Sequence, residues 1–195
     1  IIEQPDGSFT CRAFGKKFEA SNREEAEKMK EKILFSGYYP FFATPQQVGE
    51  LKKEKKKVDQ LFEGLMRENI GRWMKLVEEK ISGDVKVIVM PGNDDSFAID
   101  EPIKNSQRVI YPLKKVVPVC FDYEMISMDW SNPTPWDTPR ECSEEDLLKK
   151  LEEEAKKVTV DWSKVVCNFH VPPYDTKLDL APELDKNLKV KSDAS

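Results

Sequence analysis

The chain has 195 residues, of which 39% are hydrophobic and 34% charged, and its formal net charge is −5. These values predict a folded, charge-rich protein with enough residues for a sizeable core. No apolar run approaches the roughly 20 residues of a membrane-spanning helix, and the chain lacks the basic excess that is typical of a general nucleic-acid binder. We therefore expect neither a membrane nor a nucleic acid as its partner.

The first 20 residues predict two short strands around a Pro-Asp-Gly turn. A helix is predicted next, with Ser21 as its N-cap, Glu24 completing a capping box, and Gly37 beyond its end. Thr44 and Pro45 open a second helical stretch that reaches about residue 81, with a break near residue 55. The sequence thus predicts a helical segment over about 21–82.

Strands dominate the second half of the chain. A short β-branched run over 84–90 predicts a buried strand, and three further apolar runs follow it. Ser143 caps a clear helix, and a last strand is predicted to end at His170. Strands that alternate with helices indicate an α/β fold, in which ligands gather at the carboxyl ends of the strands.

Two of those strand ends carry polar side chains. Asn93, Asp94 and Asp95 follow the strand over 84–90, and His170, the single histidine, stands just before two prolines that stiffen its loop. A Gly-Asn-Asp-Asp sequence is also typical of a plain turn. Asn and Asp oxygens suit divalent metals, so the pattern predicts either a turn or a metal site, brought together if the two strands are neighbours.

Two further features concern anions and redox state. Arg140 is a candidate for contact with a phosphate, or for a surface ion pair with Glu141 or Glu144. The four cysteines have no C-x-x-C spacing, which argues against a zinc ribbon and against a disulfide framework. We interpret this as a chain of the reducing cytoplasm, with the cysteines as small core residues.

Two blocks resemble one known family. "VIVMPGNDD" is similar to the strand-plus-GN(H/D)(D/E) block of the calcineurin-like metallophosphoesterases, and "VVCNFHVPPYDTKLD" to a later block with a strand-end histidine ligand. The linking "MISMDWSNPTPWDTPRECSEEDL" resembles an uncharacterised prokaryotic subgroup. The resemblance covers about 85–185, and 1–84 resemble the helical insertion of that subgroup more loosely.

The resemblance implies a four-layer αββα sandwich that holds two divalent metal ions, with Mn, Fe, Zn, Ni and Co all open. It implies a phosphoesterase that hydrolyses mono- or diesters by a metal-activated hydroxide. Asn93 matches a metal ligand near the phosphate, and His170 matches a ligand of the same metal. Asp94 stands at a catalytic position where many members carry a histidine that protonates the leaving group. A carboxylic acid beside two cations is ionised, so Asp94 changes the chemistry there.

Three family blocks are not found: an Asp-x-His block, a Gly-Asp block and a final Gly-His-x-His block. We therefore expect residues 1–195 to be a single, incomplete domain, with an insertion over about 21–82 and a sandwich core over 83–195. Alone, this chain is expected to show little or no activity.

Two alternatives stay open. The chain could be a non-catalytic binding or scaffold module with a degenerate fold, in which the helices over 45–81 form the surface for a partner or a homodimer. A magnesium-dependent phosphotransfer domain using Asp94 and Asp95 is the other, although the sequence has no Gly-rich phosphate loop.

Overall fold

The structure is a computed structural model that describes residues 1–184 and 189–194. It is a mixed α/β protein, as the sequence predicts. The strands are β1 (Ile2–Glu3), β2 (Phe9–Ala13), β3 (Lys16–Ala20), β4 (Val87–Ile88), β5 (Val109–Ile110), β6 (Val117–Pro118), β7 (Glu124–Met128), β8 (Val165–Phe169), β9 (Ala181–Leu184) and β10 (Val190–Ala194). The α-helices are α1 (Arg23–Phe35), α2 (Pro45–Leu51), α3 (Lys55–Lys80), α4 (Asp100–Lys104) and α5 (Glu144–Ala155). Within the described ranges, no helix combines the length and the apolar character needed to cross a membrane.

The chain divides into two compact units, residues 1–72 and 73–195. The first contains an antiparallel sheet in the order β1-β2-β3, with α1 against it. Its core consists of one face of α1 and residues of β2 and β3, namely Phe9, Ala20, Ala26, Met29 and Ile33. The three α1 residues recur at the spacing of an amphipathic helix, which turns one apolar face of α1 toward the sheet.

Side-chain caps fix the ends of these helices. Thr44 caps α2 and forms a reciprocal capping box with Gln47, which confirms the predicted start. The cap of α1, however, is Asn22 and not Ser21. The Asn22 side chain accepts a hydrogen bond from the backbone N–H of Glu25, while the Ser21 N–H donates to the Glu25 carboxylate. Both residue types cap well, so the local sequence did not decide between adjacent positions.

The second unit contains two small sheets with parallel pairs. Strands β4 and β5 pair in parallel, and a separate sheet has the order β6-β7-β8, with β7 and β8 parallel. Helix α5 packs against β7 and begins at its predicted cap, Ser143. Strand β4 is much shorter than predicted, since only two residues form ladder bonds. A 3₁₀ turn and α4, over residues 97–104, were not predicted.

The four cysteines are all free, as expected. Cys11 and Cys142 are partly buried, but Cys120 and Cys167 are exposed, so their prediction as core residues was wrong.

Candidate functional site

The side chains of Asn93 and His170 meet in the second unit. His170 follows β8 directly, and its backbone N–H donates to the Met128 carbonyl at 2.9 Å, which extends the β7–β8 ladder by one residue. Asn93 lies in the loop after β4. Its Oδ1 is 2.8 Å from His170 Nε2. An amide oxygen can only accept a hydrogen bond, so in this arrangement Nε2 carries the ring proton.

The two strands that lead to these residues are not neighbours in a sheet. Strand β4 pairs with β5, and β8 pairs with β7. The contact is therefore made between the loop after β4 and the first residue after β8. The sequence predicts that the two strand ends meet because their strands are neighbours. The two ends do meet, but through loop residues and not through adjacent strands.

A close approach at Gly92 makes this contact possible. A β-carbon at position 92 would lie 2.5 Å from Cε1 of His170 and 2.9 Å from both ring nitrogens. Real β-carbons essentially never come so close to another heavy atom. The backbone at Gly92 does not adopt a positive φ angle. Glycine is needed at this position for space and not for backbone conformation.

One face of the β7–β8 pair is polar near its carboxyl end. Ser127 is directly opposite Asn168 in the parallel register, and Asn168 Nδ2 donates to Ser127 Oγ at 3.3 Å. Since side chains alternate along a strand, Asp129 and His170 continue this face. Ser127 and Asp129 are both buried. Sequence analysis did not select either residue, although their alternation with apolar neighbours in "ISMDW" is a readable signal.

Arg140 is buried beneath the loop that carries Asn93. Its side chain is only 2% exposed. Nη1 binds Asp129 Oδ2 and Nη2 binds Asp100 Oδ1, both at 2.6 Å. Nε donates to the Asp95 carbonyl at 3.0 Å, and the guanidinium carbon lies 4.3 Å from the centroid of the Phe97 ring.

These contacts fit neither of the roles suggested for Arg140, which were phosphate binding and a surface ion pair. The guanidinium pairs with the buried Asp129 and the partly buried Asp100 rather than with Glu141 or Glu144. To touch a dissolved phosphate it would have to leave these partners. Arg140 instead fixes the backbone of the 93–96 loop.

The two aspartates after Asn93 differ in their surroundings. Asp95 Oδ2 accepts the backbone N–H of Gly92 at 2.7 Å, while the Asp95 N–H donates back to the Gly92 carbonyl. Asp95 thus closes its own turn, as the turn alternative predicts. Asp94 is exposed, and its carboxylate has no hydrogen bond within the described part of the chain.

The segment over 131–142 holds Asn93 from the other side. Thr138 Oγ1 accepts a hydrogen bond from Asn93 Nδ2 at 2.9 Å, and the Arg140 backbone N–H donates to the Asn93 carbonyl at 3.0 Å. Two backbone hydrogen bonds between Ser131 and residues 140–142 close this loop. Asn93 is therefore held at its side chain and at its backbone.

The Asn93–His170 pair has a spacing that fits one metal ion. Two donor atoms at adjacent corners, each about 2.1 Å from a metal, lie about 3 Å apart. The 2.8 Å between Oδ1 and Nε2 is close to that value. Over residues 1–184 and 189–194, however, no group of three His, Cys, Asp or Glu side chains could hold a metal. The described residues thus place two donor atoms side by side and provide no complete coordination shell.

Comparisons with known proteins give one distant relative of unknown function. No family model matches the chain, and no solved structure matches it. Uncharacterized protein MJ1162 of Methanocaldococcus jannaschii is 29% identical over 127 residues, which are 64% of this chain and 54% of that protein. The matched region therefore spans about half the length of this relative.

Proposed function

We propose that the chain is part of a calcineurin-like metallophosphoesterase, a hydrolase that acts on phosphate mono- or diesters. On this proposal, the described strands contribute to a four-layer αββα sandwich. The observation that supports it best is the 2.8 Å contact between Asn93 Oδ1 and His170 Nε2. These are the two residues that the family resemblance assigns to one metal, and they lie 77 residues apart in the chain.

In this proposal Asn93 and His170 ligate one ion of a divalent pair, with Mn, Fe, Zn, Ni and Co as candidates. When bound, such a pair supplies the Lewis acidity that activates water for in-line attack on phosphorus. His170 must release its Nε2 proton to bind a metal, whereas Asn93 already presents its oxygen. In this proposal the exposed carboxylate of Asp94 accepts a hydrogen bond from a water near the leaving group.

Arg140 contributes indirectly in this proposal. Through Asp129, Asp100 and the Asp95 carbonyl it fixes the loop from which Asn93 projects. A cytoplasmic location is part of the proposal, and the four free cysteines are compatible with a reducing compartment.

Hydrolysis assays on the intact protein test the proposal. With manganese, the wild-type protein is expected to hydrolyse p-nitrophenyl phosphate, bis(p-nitrophenyl) phosphate or both. Asn93→Ala and His170→Ala should each lose at least about 100-fold in kcat/KM, because even outer-shell residues at metal sites account for about 10–100-fold. Lys149→Ala, on the exposed face of α5, should keep full activity. An intact protein that neither binds metal nor cleaves either ester would contradict the proposal.

A non-catalytic scaffold is the second candidate. It is favoured by the lack of a three-ligand group within the described ranges, and by the exposed apolar side chains Val58 and Phe62 on α3. The sequences that flank this chain in its gene distinguish the two candidates. Asp-x-His before it and Gly-His-x-His after it support the enzyme, and the lack of both supports the scaffold.

A further inference from the structure

The direction of the Asn93 carboxamide decides what this side chain can bind. Its two ends have nearly the same shape, but only the oxygen can ligate a metal or accept the Nε2 proton of His170. Nδ2 lies 2.9 Å from Thr138 Oγ1. This contact alone does not select one direction, because a threonine hydroxyl can accept from an amide nitrogen or donate to an amide oxygen.

Glu141 removes that ambiguity. Thr138 donates its hydroxyl proton to Glu141 Oε1 at 2.5 Å, and the Thr138 backbone N–H donates to the same oxygen at 3.0 Å. Since an ionised carboxylate only accepts, the single O–H of Thr138 is committed to it. Thr138 Oγ1 then has only lone pairs left for Asn93. The Nδ2 end must face Thr138, and Oδ1 must face His170.

Hydrogen bonds to Glu141 favour its ionised form. Thr134 donates its backbone N–H to Oε2 at 2.9 Å and its hydroxyl to Oε1 at 2.5 Å. The hydrogen bond from the Thr134 backbone, followed by those from the Thr134 and Thr138 hydroxyls, lowers the pKa of Glu141 to about 2. Glu141 is therefore an acceptor at every pH at which a phosphoesterase would work.

We propose that Glu141, acting through Thr138, is a positioning residue that fixes the direction of the Asn93 carboxamide. It thereby determines that the oxygen of Asn93, and not the nitrogen, faces the proposed metal. It also determines the tautomer of His170 in the metal-free protein. The metal part rests on the proposed function, whereas the tautomer part depends only on the hydrogen bonds described above.

The tautomer of His170 is the direct readout. It can be determined from ¹⁵N chemical shifts and ring couplings in metal-free protein, at a pH where the ring is neutral. His170→Gln identifies the signals by their loss. The wild-type ring should carry its proton on Nε2. Thr138→Val removes the hydroxyl that accepts from Asn93 Nδ2 and keeps the shape of the side chain. The Asn93 carboxamide can then rotate, so the Nδ1–H tautomer of His170 should become populated.

Three further variants make the test specific. Thr138→Ser keeps the hydroxyl and should restore the Nε2–H tautomer. Glu141→Gln should weaken the preference, since a neutral amide oxygen accepts the Thr138 hydroxyl less strongly than a carboxylate does, and the amide nitrogen cannot accept the Thr134 backbone N–H, which Thr134→Val retains. Thr134→Val also disturbs a Glu141 contact, but Thr134 does not touch Asn93, so the tautomer should stay unchanged. A Thr138→Val protein that folds and keeps a pure Nε2–H tautomer would overturn the proposal, as would an equal change in Thr134→Val.

Metal binding separates this proposal from the proposed function. Thr138→Val should weaken Mn²⁺ binding by the roughly 10–100-fold expected for an outer-shell change. If the wild-type protein shows the predicted tautomers but neither binds metal nor hydrolyses esters, the phosphoesterase proposal fails and the positioning role of Glu141 stands. If hydrolysis is found but the tautomers do not respond to Thr138→Val, the positioning role fails alone.

Discussion

The imidazole of His170 fills the space beside Gly92, so that a β-carbon at position 92 would come within 2.5 Å of ring atom Cε1. The glycine and the histidine are therefore coupled by contact, across 78 residues of chain. Any side chain at position 92 competes directly with the ring that faces Asn93.

Gly92→Ala should disrupt the site while leaving the fold intact. The ring is an exposed side chain and can rotate, so it should move away and lose its hydrogen bond to Asn93. We expect a change in the His170 ¹⁵N signals and, if the proposed metal site exists, a loss of metal affinity of about 10-fold or more. The free energy of unfolding should change by less than about 1 kcal/mol.

Gly83→Ala is the matched control, because a β-carbon there would meet no atom within 4 Å. It should leave the His170 signals unchanged. An unchanged His170 environment in Gly92→Ala would show that the two residues are not in contact.

Arg140→Met should strongly destabilise the protein. It would leave the buried carboxylate of Asp129 and the partly buried carboxylate of Asp100 without the guanidinium, and breaking a buried ion pair in this way costs about 3–5 kcal/mol. Chemical denaturation measures the loss. Lys149→Met breaks an exposed ion pair with Asp146 and should cost less than about 1 kcal/mol. Equal losses of unfolding free energy in the two variants would show that Arg140 does not form these buried ion pairs.

Glu141 should contribute stability that depends on pH. Its folded pKa, about 2, lies below the ordinary value of 4.5. A lowered pKa means that the unfolded chain binds a proton first as the pH falls. The contribution is therefore complete above about pH 4.5 and is lost as the pH falls from there through about 2.

The difference in unfolding free energy between wild type and Glu141→Gln should therefore shrink over that interval. Glu145→Gln removes the same charge from an exposed position on α5 and serves as the control. A difference for Glu141→Gln that stays constant from pH 5 to pH 2 would show that the four hydrogen bonds to this carboxylate do not form.

Local features of the fold could be predicted from the sequence. The caps at Thr44 and Ser143 satisfy helix N–H groups within three residues, so nearby residues determine them. Strand lengths could not be predicted in the same way. Residues 84–90 have the composition of a strand, yet only Val87–Ile88 pair, because pairing depends on where the distant β5 lies.

In the candidate site, too, contacts between distant residues could not be predicted from the local sequence. Asn93 and His170 stand out in the sequence because each follows an apolar strand, and the structure brings them together. The partners of Arg140 could not be deduced, since Asp129 and Asp100 are 11 and 40 residues away and no periodic pattern links them. Thr138 and Glu141 were missed because they lie in a proline-rich loop, where the sequence predicts no regular geometry.

The central claim is that Asn93 and His170 bind the same metal ion. Isothermal titration of the intact protein with Mn²⁺ tests it most directly, using Asn93→Leu, His170→Gln and the double variant. Each single variant should weaken the binding of one ion by at least about 10-fold. The double variant should lose little more than either, because two ligands of one ion are not independent. Unchanged affinity in the single variants, or fully additive losses at two separate ions, would contradict the claim.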